Sequence, residues 1–314
     1  IDVSAKEAGA AQGQVTLAGE KVGHAGTIRA LGADDAKGGR VLLTSTDKTV
    51  VTSGGTIDTS GVGNSSAGNV VVWSDKDTVF RGRITARGGD RGGDGGDVEV
   101  SGHEKLGFTG WVDLRAPHGS MGTLRLDPAS LTIVDGAGPG DHDADLPTIL
   151  AGADISDAYT ISENALEGLA AAADVVLEAT GQITVGDLTD NLLDMKQKTG
   201  SFRMTSTANG GITFQDPNDE IRTQGGNISL QAQGAGSLSS IGKLSSDGGN
   251  IVLESASAGN VTGNIDASGG AVTVTGVGNL TIGGQVIGSG TSLTKLGTGA
   301  RTLTGANTYT GGTT

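Results

Sequence analysis

Short runs of alternating apolar and polar residues recur along this chain at a nearly fixed interval. In the first part they are Gly13-Gln14-Val15-Thr16-Leu17, Gly39-Arg40-Val41-Leu42-Leu43, Gly68-Asn69-Val70-Val71-Val72, Gly96-Asp97-Val98-Glu99-Val100 and Gly122-Thr123-Leu124-Arg125-Leu126. Their steps are 26, 29, 28 and 26 residues. A second marker keeps phase with the first: Ile28, Ile57, Ile84 and Val112, at steps of 29, 27 and 28. The later part repeats more tightly. Gly225-Gly226-Asn227-Ile228-Ser229-Leu230, Gly248-Gly249-Asn250-Ile251-Val252-Leu253 and Gly269-Gly270-Ala271-Val272-Thr273-Val274 are 23 and 21 residues apart. A companion strand position precedes each, at Ile221, Leu244 and Ile265.

Alternation of period two predicts strands with one face inward. A fixed step between similar strands predicts a solenoid, because one coil cannot bury its inner face alone and a stack of coils can. The fold class expected is all-β, a right-handed parallel β-helix. A β-sandwich also uses short strands and glycine turns, but it requires no fixed period with the same corner residues. The pattern fails between Ile133 and Thr180. Asp135 to Asp145 reads as a Gly/Asp/Pro loop, and Ser162 to Ala173 as a helix with Ser162 at its N-cap, acids in its first turn and Leu166 and Leu169 on one face. The expected organisation is therefore coils over 1–134, an acidic loop-and-helix excursion over 135–173, and coils again over 174–314.

Composition agrees with this reading. Glycine supplies 57 of 314 residues and proline 5, without the every-third-residue register of collagen. Val, Ile and Thr are too abundant for a disordered chain. The formal charge is −14, which repels phosphates and argues against nucleic-acid binding. That charge is uneven, since residues 131–200 hold 13 acidic and 2 basic side chains. There is no cysteine, so a disulfide framework and a Cys-based metal site are both excluded. No apolar run approaches the roughly 20 residues of a membrane-spanning helix. The chain opens on Ile1, without a signal peptide, and reads as a processed product or a fragment.

Two stretches resemble known families. Gly68-Asn69-Val70-Val71-Val72-Trp73-Ser74-Asp75, the glycine/aspartate run Gly88 to Gly96, Val98-Glu99-Val100-Ser101-Gly102 and Gly122-Thr123-Leu124-Arg125-Leu126-Asp127-Pro128 resemble the filamentous-haemagglutinin-like, two-partner-secreted exoproteins. The helix segment with Val175-Val176-Leu177-Glu178-Ala179 and Ile183-Thr184-Val185 after it resembles the next segment of those proteins. Leu293-Thr294-Lys295-Leu296-Gly297-Thr298-Gly299, through Leu303 to Thr314, resembles the passenger repeat of autotransporters. Together they cover about half the chain. The resemblance implies a Gram-negative exoprotein exported through an outer-membrane β-barrel partner and displayed at the cell surface or released, with a role in adhesion, biofilm or cell contact. It names no ligand. The amino-terminal secretion domain of the family is not visible, and the export route stays open.

Chemistry is sparse. The four histidines, His24, His103, His118 and His142, form no HExxH motif, and no GxSxG, P-loop or Rossmann fingerprint occurs. Parallel β-helices include polysaccharide lyases and glycosidases, which need carboxylates at set separations. The candidate acids Asp75, Asp77, Asp90, Asp94, Asp97, Glu99 and Glu104 read as turn residues, and only Trp73 and Trp111 could stack on sugar as tryptophans. Calcium is the one cofactor that the residue spacing suggests. Gly92 to Val100, with Asp94 and Asp97, matches part of a nine-residue calcium repeat but occurs once, with Glu99 at an apolar position. Asp141, Asp143 and Asp145 have the opening spacing of a calcium loop, but Leu146 and Gly152 replace its required Gly and Glu. Sequons at Asn64, Asn227, Asn260 and Asn279 read as corner residues first.

The function expected is that of a structural stalk or ligand-presenting segment of a large secreted adhesin, not an enzyme and with no catalytic residues. The alternatives are a β-helical carbohydrate-active enzyme and the shaft of a contact-dependent toxin exporter. Partners expected are the secretion barrel and a polysaccharide or other cell-surface ligand, bound at the acidic excursion.

Overall fold

In the computed structural model the described residues are 1–137, 160–169, 171, 173–195 and 200–314. They form a parallel β-solenoid whose regular structure is nearly all β, with one short helix. The chain divides into two compact units: Ile1–Pro128 with Ala137–Val175, and Ala129–Gly136 with Val176–Thr314.

In the first unit the repeated strands stack in the register their spacing predicts. Gln14 lies beside Arg40, Arg40 beside Asn69, Val70 beside Val98, and Val98 beside Leu124, all parallel. Along Asn69–Ser74 burial alternates, with Val70 and Val72 inward and Asn69, Val71 and Trp73 outward. Two aliphatic columns result, Val41/Val70/Val98/Leu124 and Leu43/Val72/Val100/Leu126, each residue at most 2% exposed. Each such side chain contributes roughly 1.5–3 kcal/mol by leaving water. The second marker forms its own sheet: Ile28 beside Ile57, Ile57 beside Ile84, Ile84 beside Val112. A third ladder aligns Val51, Phe80 and Phe108, and the two phenyl rings stack 5.3 Å apart. Where the interior turns polar its hydroxyls bond to one another. Ser45 Oγ meets Thr49 Oγ1 at 2.8 Å and donates to Ser74 Oγ at 3.0 Å. Thr78 Oγ1 donates to the Ser101 carbonyl at 2.7 Å.

The second unit repeats the plan. Phe202, Ile228, Ile251, Val272 and Leu293 align in one column. Leu193, Ile221, Leu244, Ile265 and Val286 align in another. Corner asparagines brace successive coils: Asn227 Oδ1 accepts from the Asn250 amide at 2.8 Å, and Asn250 Oδ1 from the Ala271 amide at 2.9 Å.

The glycines that precede strands have two separate causes. At Gly68 a Cβ would overlap the carbonyl of Gly39 in the coil before, so stacking distance forbids a side chain whatever the backbone angle. In the pair Gly248-Gly249 the duties divide. Gly248 takes the left-handed φ of 104° that makes the turn, and Gly249 permits the close approach to Gly226. Sequence alone assigns these glycines to turning and misses the contact between coils.

The helix is shorter than expected, Glu163–Leu169 rather than Ser162 to Ala173. Ser162 Oγ does cap it, accepting from the Ala165 amide at 3.1 Å, and Leu166 and Leu169 are both fully buried. It packs beside the strand Trp111–Asp113. Ala171 and Ala173 lie outside the helix, and the Asp174 amide is bound by the Gly122 carbonyl at 3.0 Å and opens the strand Asp174–Ala179. Ladder pairing there outweighs helix propensity.

Candidate metal centre

Two stacked turns of the second unit build the site. The first joins Gln182–Val185 to Leu192–Met195, and the second joins Gly211–Phe214 to Glu220–Thr223. The strands on both sides are paired, Val185 with Phe214 and Leu193 with Ile221, so the turns between them must lie one above the other. Each turn has local bonds that fix it. In the first, Asp190 Oδ1 accepts from the Leu192 amide at 3.0 Å, Asn191 adopts a left-handed φ of 59°, and Leu188 is buried beneath. Asp135 anchors this turn from outside, accepting from the Thr189 amide at 2.7 Å and the Thr189 hydroxyl at 2.8 Å. These bonds hold the Asp135 carboxyl below its ordinary pKa. In the second turn Asp216 Oδ1 accepts from the Asn218 amide and side chain at 2.9 and 2.8 Å.

The stacking brings one carboxylate oxygen each of Asp187, Asp216 and Asp219 within 4.8 Å of one another. Asp187 is exposed, Asp216 half-buried and Asp219 fully buried. Asp219 is the unusual member. Its Oδ2 receives only a long bond, 3.4 Å, from the Leu188 amide, and its Oδ1 is buried with no hydrogen-bond partner. Burial pushes its pKa up to about 6; the Leu188 amide opposes this, and the charges of Asp216, Asp187 and Asp190 add to it. Among the described residues no lysine or arginine pairs with any of these four aspartates. The nearest acid in sequence, Glu220, is already held by Lys243 at 2.9 Å.

Three carboxylate oxygens at this spacing are hard donors suited to a divalent cation. Oxygens bound to one calcium at about 2.4 Å lie at most about 4.8 Å apart. Among the described residues this is the one grouping of three such ligands.

The residues singled out from the sequence fall elsewhere. Asp94 and Asp97 are both exposed, and no third ligand joins them among the described residues. Asp94 Oδ1 caps the Ser120 amide at 2.7 Å, and Asp97 opens the strand Asp97–Gly102 at the rim of a shallow groove with Glu99 and Arg125. Asp141, Asp143, Asp145 and His142 lie outside the described residues, as does most of the excursion expected to bind a ligand. His24 is buried, with Nε2 3.2 Å from the Thr56 carbonyl, and burial holds its pKa below the ordinary value. His103 lies against Trp73, whose indole donates to Asp75 at 3.1 Å. The sequon residues Asn260 and Asn279, like Asn227, accept backbone amides of adjacent coils through Oδ1, at 3.1 and 2.9 Å.

The cluster has a sequence signal that a regional acid count obscures. Asp187-x-x-Asp190 and Asp216-x-x-Asp219 are the same motif one coil step apart, 29 residues. A count over 131–200 includes the first copy and excludes the second. No family model matches this chain, and no curated protein matches it.

Proposed function

We propose that this chain is a stretch of stalk from a large secreted bacterial adhesin, carried out of the cell through an outer-membrane β-barrel and acting as scaffold or ligand-presenting segment. The observation that carries this reading is how each repeat is used. Inward residues fill columns, corner glycines permit stacking, and corner asparagines brace the next coil. Such a repeat can be extended coil by coil, which suits a spacer. Among the described residues no helix is long and apolar enough to cross a membrane. The resemblance of 68–134 and 293–314 to exported exoproteins supports the same reading.

One observation favours the enzymatic alternative. Asp219, with its raised pKa, sits beside two other carboxylates, the pattern of a glycosidase acid and its partner. Its full burial argues against that use, since a general acid must reach the oxygen it protonates.

Beads coated with the chain test the proposal. Capture of Gram-negative cells or of matrix polysaccharide, without release of reducing ends, is the expected result. Steady release of reducing ends, abolished by Asp187→Asn, would replace the stalk with an enzyme.

A further inference from the structure

We propose that Asp187, Asp216 and Asp219 bind one calcium ion between two successive coils of the second unit. This site stands independently of the adhesin reading. Its basis is Asp219, whose carboxylate is fully buried, faces two other carboxylates and leaves Oδ1 without a partner. A buried acceptor left unpartnered costs free energy, more so when it is charged. The chain places no lysine or arginine against it among the described residues. It places two more carboxylates there instead, which worsens the repulsion unless a cation sits among them. A divalent ion resolves all three problems at once.

The construction of the site supports this. Asp187 and Asp216 come from separate coils, so an ion bound to both ties one turn to the next. Asp135 pins the first turn through Thr189, and Asp216 pins the second through Asn218, so the ligands are positioned before an ion arrives. Asp187 is exposed and gives the ion a route from solvent, whereas Asp219 closes the inner side. Calcium is favoured over magnesium by chemistry. The three oxygens lie within 4.8 Å of one another on an irregular set of turns, which calcium's tolerant geometry accepts, whereas magnesium demands a near-ideal octahedron at about 2.1 Å and gives up its water reluctantly. One ion held by three carboxylates and completed by water suits an affinity of roughly 0.1–1 mM, the weak end of the range of protein calcium sites.

The test uses the whole 314-residue chain, stripped with a chelator and then exchanged into chelator-free buffer. Calcium chloride is titrated calorimetrically, with magnesium chloride and ionic-strength-matched sodium chloride as controls. The same titration is run on Asp187→Asn and Asp219→Asn, with far-ultraviolet circular dichroism to check the fold. The expected result is saturable calcium binding that loses one site, or weakens at least 10-fold at one site, in each variant. Magnesium should bind at least 10-fold more weakly. If Asp219→Asn does not fold, Asp187→Asn decides alone, because its side chain is exposed and bears on no column. Two results overturn the proposal: no calcium binding beyond the sodium control in the parent chain, or the same stoichiometry and affinity in Asp187→Asn as in the parent.

Discussion

Asp113 and Asp219 are both buried aspartates at the edge of a coil, and the two units treat them in opposite ways. Asp113, 3% exposed at the end of Trp111–Asp113, meets Arg115 with two parallel bonds, Nε to Oδ1 at 2.8 Å and Nη2 to Oδ2 at 2.6 Å. Arg87 Nε adds its charge from the neighbouring coil at 3.7 Å. Burial raises the Asp113 pKa, but the Arg115 side-chain and backbone hydrogen bonds and the two guanidinium charges outweigh it, and the carboxyl ends below its ordinary value. Asp219 meets the same burial with one long amide bond and three further acids, and it ends near 6. Burial alone therefore does not decide the state of a carboxylate. The charges and donors set around it, on its own coil and its neighbours, do. In the first unit the compensating cations are encoded in the chain, and in the second the site is arranged for one from solution.

The largest expected effect comes from a third situation, a buried carboxylate with neither arginine nor acidic neighbours to share an ion. Leu253→Asp or Val72→Asp places one in an aliphatic column, where the present side chains are wholly buried. The loss should be about 4 kcal/mol or more, enough to abolish a cooperative thermal transition or lower it severely. Unchanged melting in both variants would mean that the inward register is wrong. Arg115→Ala comes next. It removes the bidentate partner and leaves Arg87, and because the Arg115 side chain is 49% exposed the loss should be about 1–2 kcal/mol. The pH profile sharpens this. Asp113 holds its proton less tightly when folded than when unfolded, so the stability it adds is full above about pH 3.9. It is lost as the pH falls through the still lower folded value. Asp113→Asn should flatten that acid limb of the unfolding curve, and an acid limb parallel to the parent's would remove Asp113 from the account.

How far such contrasts can be read from sequence depends on the constraint each residue answers to. Val70, Val98 and Leu124 answer to a column that must stay apolar at every coil, so their spacing predicts the observed pairing residue for residue. Ile221, Leu244 and Ile265 obey the same demand at a shorter step. Gly68 answers to the carbonyl of Gly39, which is near only after stacking, and a single-coil view mistakes it for a turn. Asp219 answers to Asp187, 32 residues earlier, through two turns whose alignment is set by strands on either side. Acid density along the chain points to residues 131–200, whereas proximity across coils selects Asp187 from that window and adds Asp216 and Asp219 from beyond it. The helix shows the converse. Ser162, Leu166 and Leu169 are placed correctly by local rules, and the helix end is not, because Gly122 in another coil captures Asp174.

A smaller effect, of distinctive sign, is expected at Asp219. With calcium chelated at pH 7.5, Asp219→Asn removes a buried charge from among like charges and should stabilise the chain by about 1 kcal/mol, raising Tm by about 2–4 °C. With 10 mM calcium the order should reverse, because the parent gains more from the ion than a variant whose site is lost or weakened. Paired melting curves with chelator and with calcium measure both signs in one experiment. A variant that melts lower under both conditions would mean that the parent carboxylate already has a stabilising partner, and the contrast with Asp113 would fail.

The smallest effect is expected at Asp94, and it separates a calcium site built by stacking from one suggested by local motif. Asp94 stands in the glycine-rich run Gly92-Gly93-Asp94-Gly95-Gly96, where its carboxylate is exposed and accepts from the Ser120 amide of the following coil at 2.7 Å. Asp94→Asn keeps an oxygen that can accept the same bond, so only the charge is lost. The cost should be at most about 0.5 kcal/mol, the scale of an exposed polar change. No third carboxylate or histidine joins Asp94 and Asp97 among the described residues, so the calcium response of this variant should match the parent in stoichiometry and affinity. Titrating Asp94→Asn beside Asp187→Asn gives the comparison its sharpest form. Both remove one exposed aspartate charge from a coil corner, and they differ in whether a buried, unpartnered carboxylate lies behind it. If Asp94→Asn loses a calcium site and Asp187→Asn does not, the local glycine/aspartate motif governs binding, and Asp219 is a buried acid that holds a proton rather than an ion.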